Sequence, residues 1–367
     1  MDRILLAAMV MTGATAISAT AVPFTRFLGR RFGIIDHPGE RKVHRVPTPR
    51  TGGWAVLLGF LLPVAVGYQV GPRLESLPAL QAQIGEGLAL LREAYRVEAK
   101  LLAVLVGSLL AFGVGLADDV LGRRFPAWAK AAGQTAAALV LVAADVRTSF
   151  LPYEWMNVLV TVLWLVGITN AFNLLDNMDG LSAGVAFIAC AVLLLNAWQL
   201  DEYFVSLILL AFLGSLLGFL LFNFHPASVF LGDAGSHFIG YVLAALTLLE
   251  RYVSHASSTL FPVLMPVLVL AVPILDTTTV TVIRLREGRP IYVGDSRHLS
   301  HTLVSLGFSQ RAAVLFLYAV TLSLGLGAAS LTDAGLFQSL LILLQSGIFV
   351  GLLLALMFVR RAGEAAS

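Results

Sequence analysis

Charged residues are scarce in this sequence. Only 13% of the 367 residues are Asp, Glu, Lys or Arg, whereas 58% are hydrophobic. Soluble domains usually carry about 25% charged and about 45–50% apolar residues. The composition therefore excludes a water-soluble globule and a disordered chain, and it predicts a protein that crosses a membrane several times.

Cysteine and lysine are nearly absent as well. The single cysteine, Cys190, excludes a disulfide framework, a four-thiolate zinc site and a cysteine-ligated cluster. The only lysines are Lys42, Lys100 and Lys130, and none of them follows a glycine. A Walker A loop is therefore absent, and ATP hydrolysis is not expected. The net charge of +2 is too close to balance to indicate a nucleic-acid partner.

Long stretches without any charge predict the membrane spans. A membrane helix needs about 20 apolar residues, with a range of about 17–25. The shortest stretch, 131–144, reaches that length if Lys130 snorkels. We predict an all-α polytopic helical bundle of about 11 transmembrane helices, with 10 as the alternative, forming one membrane-embedded domain over residues 1–367. The charge-free stretches are 4–25, 51–72, 101–117, 131–144, 155–175, 180–200, 203–232, 234–249, 252–275, 312–332 and 334–359.

The basic residues predict the orientation of the bundle. The loops after the odd-numbered spans hold 17 of the 24 Lys and Arg residues. The positive-inside bias makes this face cytoplasmic, with the N-terminus outside and the C-terminus inside. Because only Arg3 precedes the first span whereas Arg26, Arg30 and Arg31 follow it, we expect that span to be retained and not cleaved. On the outer face, apolar residues spaced three or four apart over 77–95 predict a short amphipathic surface helix.

Six aspartates at span ends fall on the cytoplasmic face of this map. Asp118 and Asp119 end the third span, where the helix macrodipole is negative and the two charges repel each other. A bound cation, or a substrate that carries one, would offset that cost, whereas a solvated helix end is the plain alternative. Of the other four, Asp176 and Asp179 follow the fifth span, Asp233 follows the seventh and Asp295 follows the ninth.

Two polar motifs predict a metal and phosphate site. Residues 170–179 contain five amide or carboxylate side chains, which suit a hard cation such as Mg²⁺ that takes phosphate and water as its other ligands. A polar cap on two helix ends is the alternative. Asp233 lies between glycines just before the eighth span, and it is either an N-cap or part of a phosphate site.

Two cytoplasmic loops are basic. The stretch 284–301 contains Arg284, His298 and His301, and it favours anion binding over zinc because no thiolate accompanies the histidines. The first loop, with Lys42 and His44, is also basic and rich in turn-forming residues. Carboxylates suited to Mg²⁺ and bases suited to phosphate together predict phosphoryl transfer from a soluble pyrophosphate donor to a membrane-embedded phosphate. An ion-coupled secondary transporter is the alternative, but it would place its acids near the membrane midplane.

The motif set resembles a known family over nearly the whole chain. Asp118-Asp119, Asn173-x-x-Asp176-x-x-Asp179-Gly, Gly232-Asp-Ala-Gly-Ser and His298-x-x-His301 resemble, in order and spacing, the polyprenyl-phosphate N-acetylhexosamine-1-phosphate transferases of glycosyltransferase family 4. Glu40-Arg-Lys-Val-His, followed by Pro-x-x-Gly-Gly, is similar to the branch that transfers GlcNAc-1-phosphate from UDP-GlcNAc to undecaprenyl phosphate. The muramoyl-pentapeptide branch usually has three consecutive histidines in its last loop, which this chain lacks.

The resemblance implies a role for each motif residue. Asn173 and Asp233 would be the direct Mg²⁺ ligands, with Mn²⁺ as a substitute ion. Asp118 and Asp119 would be the catalytic pair. The remaining candidates would bind substrate: Lys42, His44, Lys130, Asp176, Asp179, Arg284, His298 and His301. Asn177 and Ser300 depart from residues common in the family, which leaves the sugar less certain than the reaction.

The resemblance also implies the reaction and its setting. The lipid phosphate would attack the β-phosphorus of a UDP-sugar and release UMP, starting lipopolysaccharide or teichoic-acid assembly at the plasma membrane. A covalent aspartyl-phosphate route stays open, as does a phospho-MurNAc-pentapeptide transferase. We expect the lipid bilayer as a partner, a homodimer as one form of assembly, and no nucleic acid.

Overall fold

The computed structural model is almost entirely helical, and it describes residues 2–38, 46–75, 98–253, 257–290 and 297–366. Its helices are α1 (Asp2–Phe32), α2 (Gly53–Glu75), α3 (Glu98–Leu121), α4 (Ala127–Ala143), α5 (Glu154–Leu175), α6 (Leu181–Gln199), α7 (Tyr203–Asn223), α8 (Gly232–Leu249), α9 (Met265–Val269), α10 (Ala271–Arg286), α11 (Leu299–Ser305), α12 (Gln310–Ala329) and α13 (Leu336–Ala366). Short 3₁₀ turns cover Gly122–Arg124 and Phe261–Leu264.

One short strand pair closes the loop between α1 and α2. Strand β1 (Ile35–Asp36) runs antiparallel to β2 (Thr48–Pro49), with Ile35 opposite Pro49 and Asp36 opposite Thr48. The pair brings the two ends of the basic first loop together. It therefore fixes where the chain re-enters the bundle at the start of α2.

Helix α8 lies at the centre of the bundle, packed against α3, α5 and α2. Its Phe238 ring packs edge to face on Phe60 of α2, with 5.7 Å between ring centroids. The same ring meets Phe112 of α3 and Phe212 of α7 edge to face, each at 6.3 Å. Such aromatic contacts add to the burial of apolar area. The N-terminal half of α8 is therefore held in place by neighbours on several sides.

The outer helices carry their apolar side chains outwards. On α13, for example, Phe337 is 74% exposed and Leu344 is 62% exposed. Within the described ranges, eight helices are long and apolar enough to cross a membrane, or nine if one bent pair counts as a span. The prediction of a polytopic helical membrane protein is confirmed. The count of 11 spans and the orientation of the termini stay predictions.

Of two predicted spans, the structure confirms the extension of one and corrects the other. The short stretch at 131–144 does extend back past Lys130, because α4 begins at Ala127. The stretch 252–275 is not one straight span, which corrects that prediction. The helix pair Phe261–Val269 and Ala271–Arg286 bends by 68° at its break. Helix α10 then continues beyond Asp276, so that residue lies inside a helix. The amphipathic helix predicted at 77–95 falls outside the described residues.

Candidate active site

Four helix ends meet at one pole of the bundle and bring the predicted motifs together. The ammonium group of Lys130, at the start of α4, donates to Asp118 Oδ2 at 2.8 Å and to Asn173 Oδ1 at 3.0 Å. The Nδ2 atom of Asn173 donates in turn to Asp233 Oδ1 at 2.8 Å. Together with Asp119, these residues form what we refer to as the polar cluster. Residues predicted from separate motifs therefore share one site.

Asp119 is the most deeply buried carboxylate of the polar cluster, with 2% of its side chain exposed. Its Oδ2 atom accepts a hydrogen bond from the backbone N–H of Ala234 at 2.9 Å. That N–H belongs to the first turn of α8, where free amides and the positive end of the macrodipole favour an anion. Asp233 is the second residue of α8, and the N-cap position is taken by Leu231. The N-cap alternative for Asp233 is therefore wrong.

Two glycines let the backbones approach closely here. A Cβ atom on Gly115 would lie 2.2 Å from the carbonyl oxygen of Asp233, so α3 and α8 meet without a side chain between them. Gly232 has a φ of +76°, and a Cβ atom there would lie 2.4 Å from the carbonyl oxygen of Arg50. Only glycine adopts this backbone conformation without strain. Gly115 and Gly232 are therefore needed for close contact between protein backbones.

The paired glycines of the first loop also have a defined role. Gly52 and Gly53 donate backbone hydrogen bonds to the carbonyls of Phe230 and Leu231, each at 2.9 Å. Phe230 donates back to the carbonyl of Pro49 at 2.8 Å. The first loop is therefore bonded directly to the segment that carries Asp233. Lys42 and His44, expected in this loop as substrate ligands, lie outside the described residues.

Arg50 is a site residue that the sequence analysis missed. Its Nη2 atom lies 3.3 Å from Asp119 Oδ1 and 3.4 Å from Asp233 Oδ2. It therefore bridges two carboxylates of the polar cluster. The available signal was its place just before the paired glycines, in a loop that is basic and rich in turn-forming residues.

The aspartates after α5 face different partners. Burial and repulsion from Asp233 raise the pKa of Asp176 to about 8. The Oδ2 atom of Asp179 lies 2.7 Å from His225 Nδ1 and accepts from the Ala227 N–H at 3.1 Å. His225 was not among the candidate residues drawn from the sequence, so this contact was missed. Asp179 is therefore held by the segment after α7, at the edge of the polar cluster.

The asparagines of this motif have separate functions. Helix α5 ends at Leu175, so Asn177 lies beyond it. Its Oδ1 atom accepts from Ser300 Oγ at 2.6 Å, which ties this loop to α11. Asn170 exchanges hydrogen bonds of 2.8 and 3.3 Å with Gln134, one turn after Lys130 on α4. Asn170 therefore supports the position of Lys130 from the neighbouring helix.

The histidine motif is anchored by Asp276. The Nδ1 atom of His298 lies 2.7 Å from Asp276 Oδ2, and the Leu299 N–H donates to Asp276 Oδ1 at 2.6 Å. A carboxylate at Nδ1 sets the tautomer and the orientation of the ring. The rings of His298 and His301 have their centroids 6.4 Å apart. Arg284 is also buried, with 2% exposure. Substrate binding by Arg284 and the histidines stays a prediction.

The donor set of the polar cluster fits a hard cation. Among the described residues, no group of three or more His, Cys, Asp or Glu side chains is placed to hold a metal ion. However, Asp119 Oδ1 is buried without a hydrogen-bond partner, and Asp233 adds a second carboxylate. Asn173 would contribute its oxygen once the amide turns, since its Nδ2 now faces Asp233. A small number of oxygen ligands from the protein is typical of Mg²⁺ sites, in which phosphate and water supply the remaining ligands.

Comparison with known proteins decides the family. The model of glycosyl transferase family 4 matches residues 101–250. A probable undecaprenyl-phosphate N-acetylglucosaminyl 1-phosphate transferase of Bacillus subtilis is 32% identical over 337 residues, covering 89% of this chain and 86% of that protein. The chain belongs to glycosyl transferase family 4. The matched residues of this family include the polar cluster, and the chain is a transferase.

Two further relatives indicate which branch of the family this chain resembles more. A decaprenyl-phosphate N-acetylglucosaminephosphotransferase of Mycobacterium tuberculosis is 35% identical over 350 residues, covering 88% of this chain and 82% of that protein. A phospho-N-acetylmuramoyl-pentapeptide-transferase of Levilactobacillus brevis is 37% identical over 169 residues, covering 41% and 52%. The similarity extends along most of the chain for the first type and along part of it for the second. This difference favours the N-acetylglucosaminyl branch.

Proposed function

We propose that this protein transfers GlcNAc-1-phosphate from UDP-GlcNAc to undecaprenyl phosphate, releasing UMP. The observation that carries the proposal is the polar cluster, in which Asp118, Lys130, Asn173 and Asp233 from four helix ends lie in hydrogen-bonding contact. An amine and several carboxylates at one pole match a reaction that needs positioning and charge neutralisation more than covalent chemistry. The names of the full-length relatives supply the sugar and the type of lipid.

The acceptor needs little activation in this reaction. A phosphate monoester has a second pKa near 6, so it is mostly dianionic at neutral pH. Its oxygen forms a bond to the β-phosphorus of the nucleotide sugar, while the bond from that phosphorus to the α–β bridging oxygen breaks. UMP leaves with the bridging oxygen. Asp118 and Asp119 therefore orient the reacting groups and do not need to act as strong bases.

The remaining residues would bind the donor and the acceptor. Lys130 is placed to donate to a phosphate oxygen, because its ammonium already points between Asp118 and Asn173. Asp179 would contact uridine, with Asp176 supporting the site. Arg284, His298 and His301 would hold the pyrophosphate and the sugar. Asp233 and Asn173 would hold Mg²⁺, which supplies charge neutralisation at the pyrophosphate.

The same proposal includes the location of the site. The polar cluster lies at the ends of α3 and α5 and at the starts of α4 and α8. This pole adjoins the loops that contain most of the basic residues, so the positive-inside bias assigns it to the cytoplasmic side of the plasma membrane. A soluble nucleotide sugar would then reach the site from the cytoplasm. A transporter would place its acidic residues near the membrane midplane, whereas the acidic residues here lie at helix ends.

The direct test uses purified protein with undecaprenyl phosphate, Mg²⁺ and labelled UDP-GlcNAc. We expect release of UMP and a labelled lipid product. Parallel reactions with UDP-GalNAc and UDP-MurNAc-pentapeptide decide the sugar, and decaprenyl phosphate tests the chain length of the lipid. No UMP from any donor would refute the transferase proposal. A phosphorylated protein that accumulates without lipid would support the aspartyl-phosphate route instead of direct displacement.

A further inference from the structure

Arg50 is held rigidly by its backbone, whereas its side chain reaches into the polar cluster. Its N–H donates to the carbonyl of Ile34 at 3.1 Å, and its own carbonyl lies against Gly232. The side chain is 35% exposed, and its Nη2 atom lies between Asp119 and Asp233. The guanidinium group can therefore turn towards solvent while the backbone stays in place.

Each carboxylate of the polar cluster already has a cation from the protein. Lys130 pairs with Asp118 at 2.8 Å. Arg50 serves Asp119 and Asp233 together, at 3.3 and 3.4 Å. Because Asp119 is 2% exposed, water gives its charge little compensation, and Arg50 is needed to offset the repulsion between the two acids. A divalent ion that approaches Asp233 must therefore displace this guanidinium or bear its repulsion.

We propose that Arg50 is an internal counter-ion that occupies the metal-binding carboxylates until the nucleotide arrives, so that metal and nucleotide bind together. This inference rests on the proposed function, because the pyrophosphate is what gives Arg50 a new partner. Arginine forks match phosphate oxygens well. The incoming pyrophosphate thus draws Arg50 away from Asp119 and Asp233 at the moment when the metal takes its place. The substrate-free site binds a divalent ion weakly.

Mn²⁺ binding, measured by electron paramagnetic resonance on purified protein without lipid, tests the inference. For the wild type we expect Mn²⁺ to bind about 10-fold more tightly with UDP-GlcNAc than without it, within the usual range of coupling between two ligands. For Arg50→Gln we expect Mn²⁺ alone to bind about 10-fold more tightly than to the wild type, and the further gain from the nucleotide, which still ligates the ion, to be smaller than in the wild type. Arg50→Lys keeps the charge and should resemble the wild type.

Arg30→Gln is the matched control, because it removes the same charge from an exposed residue in the last turn of α1. Mn²⁺ affinity of Arg50→Gln equal to that of the wild type would overturn the inference. If Arg50→Gln does not fold, less than about twofold coupling between Mn²⁺ and UDP-GlcNAc in the wild type overturns it equally well. Failure of the proposed function would be seen in a different experiment, as the absence of UMP release with lipid acceptor. The Mn²⁺ measurement without nucleotide does not depend on that activity.

Discussion

Asn173 donates from Nδ2 to Asp233 Oδ1 at 2.8 Å across 60 positions of sequence. The oxygen of the same amide accepts from Lys130 at 3.0 Å. One side chain in the last turn of α5 therefore connects the start of α4 with the start of α8. This link depends on three helix ends keeping their relative positions, which the packing of α8 against its neighbours holds in place.

Neutralising the carboxylates of the cluster should abolish the reaction. We expect Asp118→Asn and Asp233→Asn each to lower UMP release by about 100-fold or more, as is usual when a charge-stabilising group is removed from an active site. Asp118 would lose its pairing with Lys130, and Asp233 would lose its charge towards the metal. Initial rates with saturating UDP-GlcNAc measure the effect.

Glu250→Gln is the matched control for these two variants. Glu250 follows the last residue of α8, at the opposite end from Asp233, and accepts from Asn196 Nδ2 at 2.8 Å. Burial raises the pKa of Glu250 well above its usual range, and glutamine keeps the size of this side chain and an oxygen that can accept from Asn196. We expect unchanged activity. Equal loss in all three variants would contradict the assignment of the site.

Asp276 should affect activity by orienting the ring of His298. Asp276→Asn keeps the volume but weakens the hydrogen bond at His298 Nδ1, and we expect activity to fall about 10-fold, as for other groups that orient a functional histidine. In the His298→Ala background the same change should cost little more, because the ring it orients is gone. Independent, additive losses in a double-mutant cycle would show that Asp276 has another role.

Gly232 should tolerate no side chain. Gly232→Ala places a Cβ 2.4 Å from the Arg50 carbonyl and forces a non-glycine residue to keep a φ of +76°. We expect a loss of about 1–3 kcal/mol in the free energy of unfolding, together with lower activity as Arg50 and Asp119 move apart. Thermal unfolding in detergent measures the first effect. Gly347→Ala on α13, where a Cβ meets open space, should be neutral or slightly stabilising.

The sequence was sufficient to predict the helical membrane fold and most of the polar cluster. Asp118, Asn173 and Asp233 each lie near the end of a long apolar stretch. Because successive spans alternate in direction, these three ends were predicted to lie on the same face of the membrane. Arg50 could not be found in this way, because its place depends on backbone bonds between Gly52 and Phe230 that join distant parts of the chain. Asp276 was not among the candidate site residues either. The charge-free stretch ends at residue 275, whereas α10 continues to Arg286, and Asp276 lies inside this helix with 1% exposure, paired with His298.

The pKa of Asp176 predicts how the stability of the metal-free protein depends on pH. Burial and repulsion from Asp233 raise that pKa from 3.8 to about 8, so the folded protein holds the proton more tightly than the unfolded chain. The resulting stability is fully present below pH 3.8 and is lost as the pH rises through about 8. Between the two pKa values this group alone changes the free energy of unfolding by up to about 1.4 kcal/mol per pH unit.

Thermal unfolding in EDTA between about pH 6 and pH 9 tests this dependence, since that range brackets the folded-state titration. The melting temperature of the wild type should fall more steeply with pH than that of Asp176→Asn, which has no proton to lose at this position. Other groups titrate equally in both proteins, so the difference between the two slopes isolates Asp176. Adding Mg²⁺ should flatten the wild-type slope, because a nearby divalent cation favours the ionised carboxylate. Parallel slopes in EDTA would mean that Asp176 is already ionised in the metal-free fold.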